Sequence, residues 1–129
     1  MNPLVVLDAS ALLALVNNEP GWEHVEETIA HGAVMSAVNL SEVGSRLVRE
    51  GTPPAEVAAD LGLWPIEIAP FGIDDANAAA AMALITRSAG LSLGDRACLS
   101  LAMKLGAAAL TADRAWSNLS LNVVVMLLR

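Results

Sequence analysis

LVVLDAS, residues 4–10, decides the fold. Four apolar residues in a row followed by an acid predict a strand over Leu4–Asp8 that is buried on both faces, and such strands belong to parallel sheets. Ser10 is placed to cap a helix over Ala11–Val16. Working outward, NNEPG at 17–21 is a turn. Trp22, Val25 and Ile29 then share one face while Glu23, Glu26 and Glu27 take the other, which predicts an amphipathic helix ending near Gly32. Ala33–Met35 is a second strand. Ser36 caps a third helix with Leu40, Val43 and Leu47 on one face and Gly51 just past its end. Thr52-Pro53 opens a fourth helix with Pro at its first position, and Ile66–Ala69 is a third strand. Asp74 caps an alanine-rich fifth helix that runs to about Ala89 and is stopped by Gly90. Ser92-Leu93-Gly94-Asp95 has the spacing of a capping box, with Asp for the usual Glu, and opens a sixth helix. Ala108–Leu110 is a fourth strand, Asp113–Asn118 a helical turn and Asn122–Met126 a last strand. This alternation predicts one α/β domain over residues 1–129, with a mostly parallel sheet of about five short strands covered on both sides.

Composition narrows the function. The net charge is −7, which argues against a protein that grips nucleic acid through a broad basic face. It leaves room for an enzyme that meets RNA through bound metal ions, and it invites a basic partner. Aromatic residues are 3% of the chain, so Ala, Leu, Val and Ile must build the core. One cysteine, Cys98, allows no intrachain disulfide, which fits a reducing cytoplasm. MNPLVVLDAS has no basic segment or cleavable signal pattern, and no apolar run approaches the roughly 20 residues that span a bilayer. A cytoplasmic protein is expected.

Four carboxylates sit at four junctions of this pattern: Asp8 in LVVLDAS, Glu42 in VNLSEVGSR, Asp95 in LSLGDRACLSLA and Asp113 in LTADRAW. Each has an ordinary explanation. Asp8 and Asp113 can cap the helices that follow them. Asp95 can be the third residue of its capping box. Glu42 can pair with Arg46 one turn on. Jointly they say more. Asp8 and Asp113 end strands whose C-terminal edge is where parallel sheets bind ligands, and a bend between Gly90 and Gly94 would bring Asp95 there too. Like charges about 4 Å apart repel by ~4 kcal/mol at an effective dielectric of 20, so such a cluster either takes up protons or gathers a cation. Oxygen ligands alone favour Mg²⁺ or Mn²⁺ over zinc. No Ser–His–Asp set, cysteine cluster or glycine-rich phosphate loop competes. The chemistry indicated is metal-assisted hydrolysis of a phosphodiester. His24 and His31 read as structural, Cys98 as a core thiol, and Trp22, Trp64 and Trp116 as core or interface anchors.

Taken together, LDASALLAL, SEV, LSLGDRACLSLA and LTADRAW resemble the PIN-domain ribonucleases, and among them the VapC-type toxins of bacterial toxin–antitoxin pairs. The resemblance covers essentially the whole chain. It implies an α/β/α PIN-like fold and an endoribonuclease whose Mg²⁺ or Mn²⁺ is held by Asp8, Glu42, Asp95 and Asp113. Ser10 and Thr111 fall where the family places supporting hydroxyls. It also implies a homodimer and a cognate antitoxin with a basic inhibitory segment, which alone would bring the pair to operator DNA. The rival is a PIN-like module without activity, acting as a scaffold or co-repressor. A phosphotransfer enzyme fits less well. A haloacid-dehalogenase-like hydrolase needs an acid two places after Asp8, where Ser10 stands, and a receiver domain needs a lysine late in the sheet, whereas Lys104 lies on the sixth helix.

Overall fold

The computed structural model describes residues 4–129; Met1–Pro3, part of the N-terminal stretch considered above, lie outside the described residues. Five strands, β1 (Val5–Leu7), β2 (Ala33–Ser36), β3 (Glu67–Ala69), β4 (Ala108–Thr111) and β5 (Val125–Leu127), form one sheet. Their order is β3-β2-β1-β4-β5 and every pairing is parallel. Six helices connect them: α1 (Ala9–Val16), α2 (Trp22–His31), α3 (Ala37–Arg49), α4 (Pro54–Leu61), α5 (Ile73–Ala81) and α6 (Leu93–Leu105). The chain winds from β1 to β3 in one direction, then crosses back to lay β4 on the other side of β1. The crevice beyond the ends of β1 and β4 is therefore the topological switch point, where a sheet of this kind leaves room for a ligand.

The strand period explains the two-sided core. Val6, Val34 and Ala109 point to one face, where Leu99, Cys98 and Ala102 of α6 and Trp116 cover them. Leu7, Met35 and Leu110 point to the other, against Leu12 and Leu15 of α1, Val25 of α2 and Val43 of α3. Around β1, β2 and β4 both faces exclude water, so these strands carry no polar alternation; β3, at the edge, exposes Glu67.

Five details differ from the sequence reading. The helix after β1 starts at Ala9, and its cap is Asp8 rather than Ser10. α4 has Pro53 at the cap, extended as the residue before a proline prefers, and Pro54 at the first helical position. α5 begins at Ile73 with Gly72, not Asp74, at its cap, and Asp75 Oδ2 reaches back to accept from the Gly72 N–H at 2.9 Å. That helix ends at Ala81 instead of about Ala89. The Ala79 carbonyl, which a continuing helix would give to Ala83, accepts from Met82 N–H and from the Arg96 guanidinium at 3.0 Å. The chain continues as turns to a 3₁₀ segment, Arg87–Ala89, and Gly90 in the left-handed region closes it. The last strand is displaced to Val125–Leu127.

Candidate active site

Asp8 follows the last residue of β1, opposite Thr111 at the end of β4. Its main chain is extended, which frees the side chain to turn back over α1. Oδ1 accepts from the Ala11 N–H at 2.8 Å and from the Ser10 hydroxyl at 2.7 Å; Oδ2 accepts from the Thr111 hydroxyl at 2.5 Å. Ser10 Oγ in turn accepts from the Ala112 N–H at 2.9 Å, and Thr111 Oγ1 from the Asp113 N–H at 3.0 Å. A closed network thus ties the end of β1 to the end of β4. Ser10, displaced from the capping role, spends its hydroxyl here. Asp8 is only 4% exposed. Burial lifts its carboxyl from 3.8 to about 6; the bonds from Thr111, Ser10 and Ala11 oppose the rise, and the negative charge of Asp95 adds to it.

Glu42 lies on the exposed side of α3. The pairing with Arg46 does not occur: Arg46 binds Glu50 instead, at 3.4 Å. Glu42 Oε1 accepts from Asn39 Nδ2 at 2.8 Å, and the same nitrogen donates to the Gly94 carbonyl at 2.9 Å. Gly94 leaves room for the Glu42 carboxylate: a Cβ there would overlap it and push it aside. Asp95 does close the capping box: its Oδ2 accepts from the Ser92 N–H at 2.9 Å and its N–H donates to Ser92 Oγ at 3.3 Å. Asp113 does cap the 3₁₀ segment Arg114–Asn118, its Oδ1 accepting from Ala115 N–H at 2.9 Å. Glu42, Asp95 and Asp113 therefore each commit one oxygen to local structure. Among the described residues the other oxygen of each accepts no protein hydrogen bond.

Three of the four acids, Asp8, Asp95 and Glu42, are linked electrostatically. Cys98, fully buried on α6, has its thiol pushed well up, by burial first and then by the negative charges of Asp8, Asp95 and Glu42. Among the described residues none of the four acids is in an ion pair; the ion pairs lie elsewhere, at Lys104–Asp75, Arg46–Glu50 and Arg129–Glu19. Also among the described residues, no three His, Cys, Asp or Glu side chains converge as they stand on one ion position, since Asp95 and Asp113 are turned toward their own caps. The donor chemistry nevertheless fits a hard divalent cation, with oxygen ligands, uncompensated negative charge and an uncommitted oxygen on each of three acids. His31, on α2, has Nδ1 on the Glu27 carbonyl at 2.9 Å.

The family-model comparison decides the kinship: the PIN domain model matches residues 5–121. The chain belongs to the PIN-domain family. Solved structures agree on the fold. The VapBC2 complex of Rickettsia felis bound to a promoter DNA fragment matches with a TM-score of 0.74 at 16% identity, over 95% of this chain and 97% of that one. VapC20 of Mycobacterium tuberculosis, described as a toxin cleaving the sarcin-ricin loop, matches with 0.72 at 17%, over 93% and 98%. DNA-bound VapBC of Salmonella typhimurium matches with 0.74 at 13%, over 99% and 100%. No curated protein sequence matches. The α/β PIN-like architecture expected above is the one found, with its five strands all parallel.

Within this PIN fold one cavity borders a member of the set, Glu42, and a second lies next to it. A cleft of about 480 Å³ is bordered by Val38, Ser41, Glu42, Ser45 and Arg49. An apolar groove of about 720 Å³ between α3, α4 and β3, lined among others by Leu40, Val48, Val57, Leu61 and Trp64, shares Ser41, Ser45 and Arg49 with it. Sequence reasoning did not single out that groove, or Asn39, or the contact that constrains Gly94. A signal existed for Asn39: it is a polar residue on the same helical face as Val43, where an apolar one was due.

Proposed function

We propose that this chain is a Mg²⁺- or Mn²⁺-dependent endoribonuclease toxin that a cognate antitoxin neutralises. The observation that carries this reading is the acidic edge itself: a buried carboxylate in a hydroxyl cradle, with two further acids acting on the same core thiol and, among the described residues, no cation paired with any of them. Membership of the PIN family supports it, as does the likeness in fold to VapC20, a toxin that cleaves the sarcin-ricin loop.

Asp8, Asp95 and Asp113 would hold the ion, with Glu42 reaching it directly or through water. When bound, it supplies positive charge to the phosphate and lowers the pKa of a bound water. The chain's own residues do the rest. Thr111 and Ser10 fix both oxygens of Asp8, so that it does not need to reorganise when substrate arrives. An exposed carboxylate of the set orients a water toward phosphorus and takes its proton. The new P–O bond forms as the ester P–O bond breaks, and the leaving oxygen is protonated from solvent. Arg49, at the edge of the cleft beside Glu42, and Arg114, next to Asp113, are exposed cations near which a phosphate backbone can lie.

The partner reading follows from charge. A net charge of −7 together with a carboxylate cluster that must stay open to RNA calls for a basic segment, whose arginines bind carboxylates in bidentate fashion. The apolar groove next to the cleft gives the same segment a seat for apolar side chains. The neighbouring structures include a toxin–antitoxin complex and VapBC complexes bound to DNA, one of them to a promoter fragment. Operator DNA would accordingly be reached through the antitoxin, and the toxin would work as a homodimer in the cytoplasm. Among the described residues no helix is long and apolar enough to cross a membrane. The deciding experiment incubates antitoxin-free protein with structured RNA. Cleavage with Mg²⁺ or Mn²⁺ that stops with EDTA and is lost in Asp95→Asn supports the proposal. A folded protein that cleaves no RNA under any of these conditions makes it a PIN module without activity.

A further inference from the structure

Asn39 is polar, almost wholly buried and only partly satisfied. It is 1% exposed and shares the buried side of α3 with Val43. Its side-chain nitrogen donates twice, to Glu42 Oε1 at 2.8 Å and to the Gly94 carbonyl at 2.9 Å. Its Oδ1 is buried with no hydrogen-bond partner. Both neighbours of the nitrogen are acceptors and nothing else, so chemistry fixes the orientation of the amide.

An amide with an orphaned carbonyl is a poor filler for a core. An apolar side chain of the same shape would pack there with no orphaned oxygen of its own, giving up only the two bonds that the amide donates. What only the amide supplies is two N–H donors held in one plane. One holds the end of Glu42. The other holds the first turn of α6 at the residue before Asp95. Gly94 has no side chain, so the Glu42 carboxylate rests directly on that turn. Without the donors, Glu42 is an exposed side chain with several rotatable bonds and no fixed direction.

We infer that Asn39 is a positioning residue of the acidic site: it fixes Glu42 against the start of α6, so that the uncommitted oxygens of Glu42 and Asp95 are offered together to a divalent cation. The consequence for the cation rests on the nuclease reading; the geometry does not.

The test uses the full chain and Mn²⁺ as the probe, with calorimetry, thermal melts and NMR of the Asn39 side-chain amide. Asn39→Leu keeps its melting temperature, or raises it, yet binds Mn²⁺ roughly 10–100-fold more weakly, the usual effect of losing a partner that orients a ligand. Glu42→Ala weakens binding to a similar degree, and the double variant is no weaker than Glu42→Ala alone, because the two residues act as one unit. Glu42→Ala also shifts the Asn39 amide protons and speeds their exchange with solvent. Wild-type affinity in Asn39→Leu, or losses that add in full, overturns the inference. Should Asn39→Leu not fold, Asn39→Asp keeps the size and removes both donors, and the amide resonances require no change at position 39. A wild-type chain that neither binds Mn²⁺ nor cleaves RNA defeats the nuclease reading. In that event the amide decides the positioning role separately: resonances indifferent to Glu42→Ala defeat it, and resonances that respond uphold it.

Discussion

Replacing Asp8 with Asn is predicted to stabilise the metal-free protein at neutral pH. In the folded chain the Asp8 carboxyl titrates near 6 instead of 3.8, because it is buried and faces the charge of Asp95. The sign follows from proton binding. Below about pH 4 the group is protonated whether the chain is folded or not, so it has no effect. Between about 4 and 6 the unfolded chain loses the proton while the folded chain keeps it, and stability falls as pH rises. Above about 6 the full cost is present, ~3 kcal/mol for a shift of ~2 units at 1.36 kcal/mol each. Asn carries no charge and retains most of the cradle. Its oxygen can still accept from Ala11 N–H and Ser10, and its nitrogen can donate to Thr111 Oγ1 if that hydroxyl turns. Urea unfolding from pH 4 to 8 in EDTA should show wild-type stability declining by ~3 kcal/mol more than that of Asp8→Asn. Mg²⁺ should restore stability to the wild type, by ~2.7 kcal/mol at a hundred times its dissociation constant, and do little for the variant. A variant several kcal/mol less stable than wild type at pH 7.5, with an unchanged pH slope, would falsify the reasoning and make Asp8 a structural cap.

Further outcomes follow from the same geometry. Gly94→Ala should fold with near wild-type stability, since helical alanine is favoured over glycine by roughly 0.5–1 kcal/mol and only the flexible end of Glu42 must move, but RNA cleavage should fall sharply; activity equal to wild type would show that the Glu42 position is not used. Leu99→Ala, in the fully buried contact of α6 with the sheet, should cost ~2–5 kcal/mol by chemical denaturation, and a loss below 1 kcal/mol would contradict the packing described. Calorimetry of the toxin with its antitoxin's basic segment should show affinity falling as salt rises and in Asp95→Asn and Asp113→Asn; binding indifferent to salt and to both substitutions would place the segment in the apolar groove alone.

The strands were legible in the sequence because burial on both faces leaves an unbroken apolar run, as in Leu4–Leu7 and Ala108–Leu110. Helix ends set by side chains of neighbours in space were less so. Nothing local says that α5 stops at Ala81, because the carbonyl it would need is taken by Arg96, seventeen residues later. Ser10 made a reasonable cap until Asp8 took that place and the Asp8 carboxylate, with the Ala112 N–H a hundred residues on, found a use for the hydroxyl. At the site, the four acids stood out by their positions at strand ends and helix starts. The Asn39 bridge did not, because it joins residues 55 apart in sequence.

The ordinary and functional explanations of the acids turn out not to compete. A carboxylate has two oxygens and several lone pairs, and a helix cap uses one of them. Asp95 and Asp113 face an N–H at their own helix starts through one oxygen and keep the other, and Glu42 does the same with Asn39. Capping aims each side chain at small local cost, since an acid at a helix N-terminus is favoured by the helix dipole. Asp8 is the exception: both its oxygens are engaged, it is buried, and its charge is disfavoured. A fold that needed only caps would keep three such acids exposed and have no reason to bury the fourth beside them. The buried, hydroxyl-cradled Asp8 is therefore the member that argues most strongly for an electrostatic task at this edge, and the cation it lacks among its protein neighbours is what would complete it.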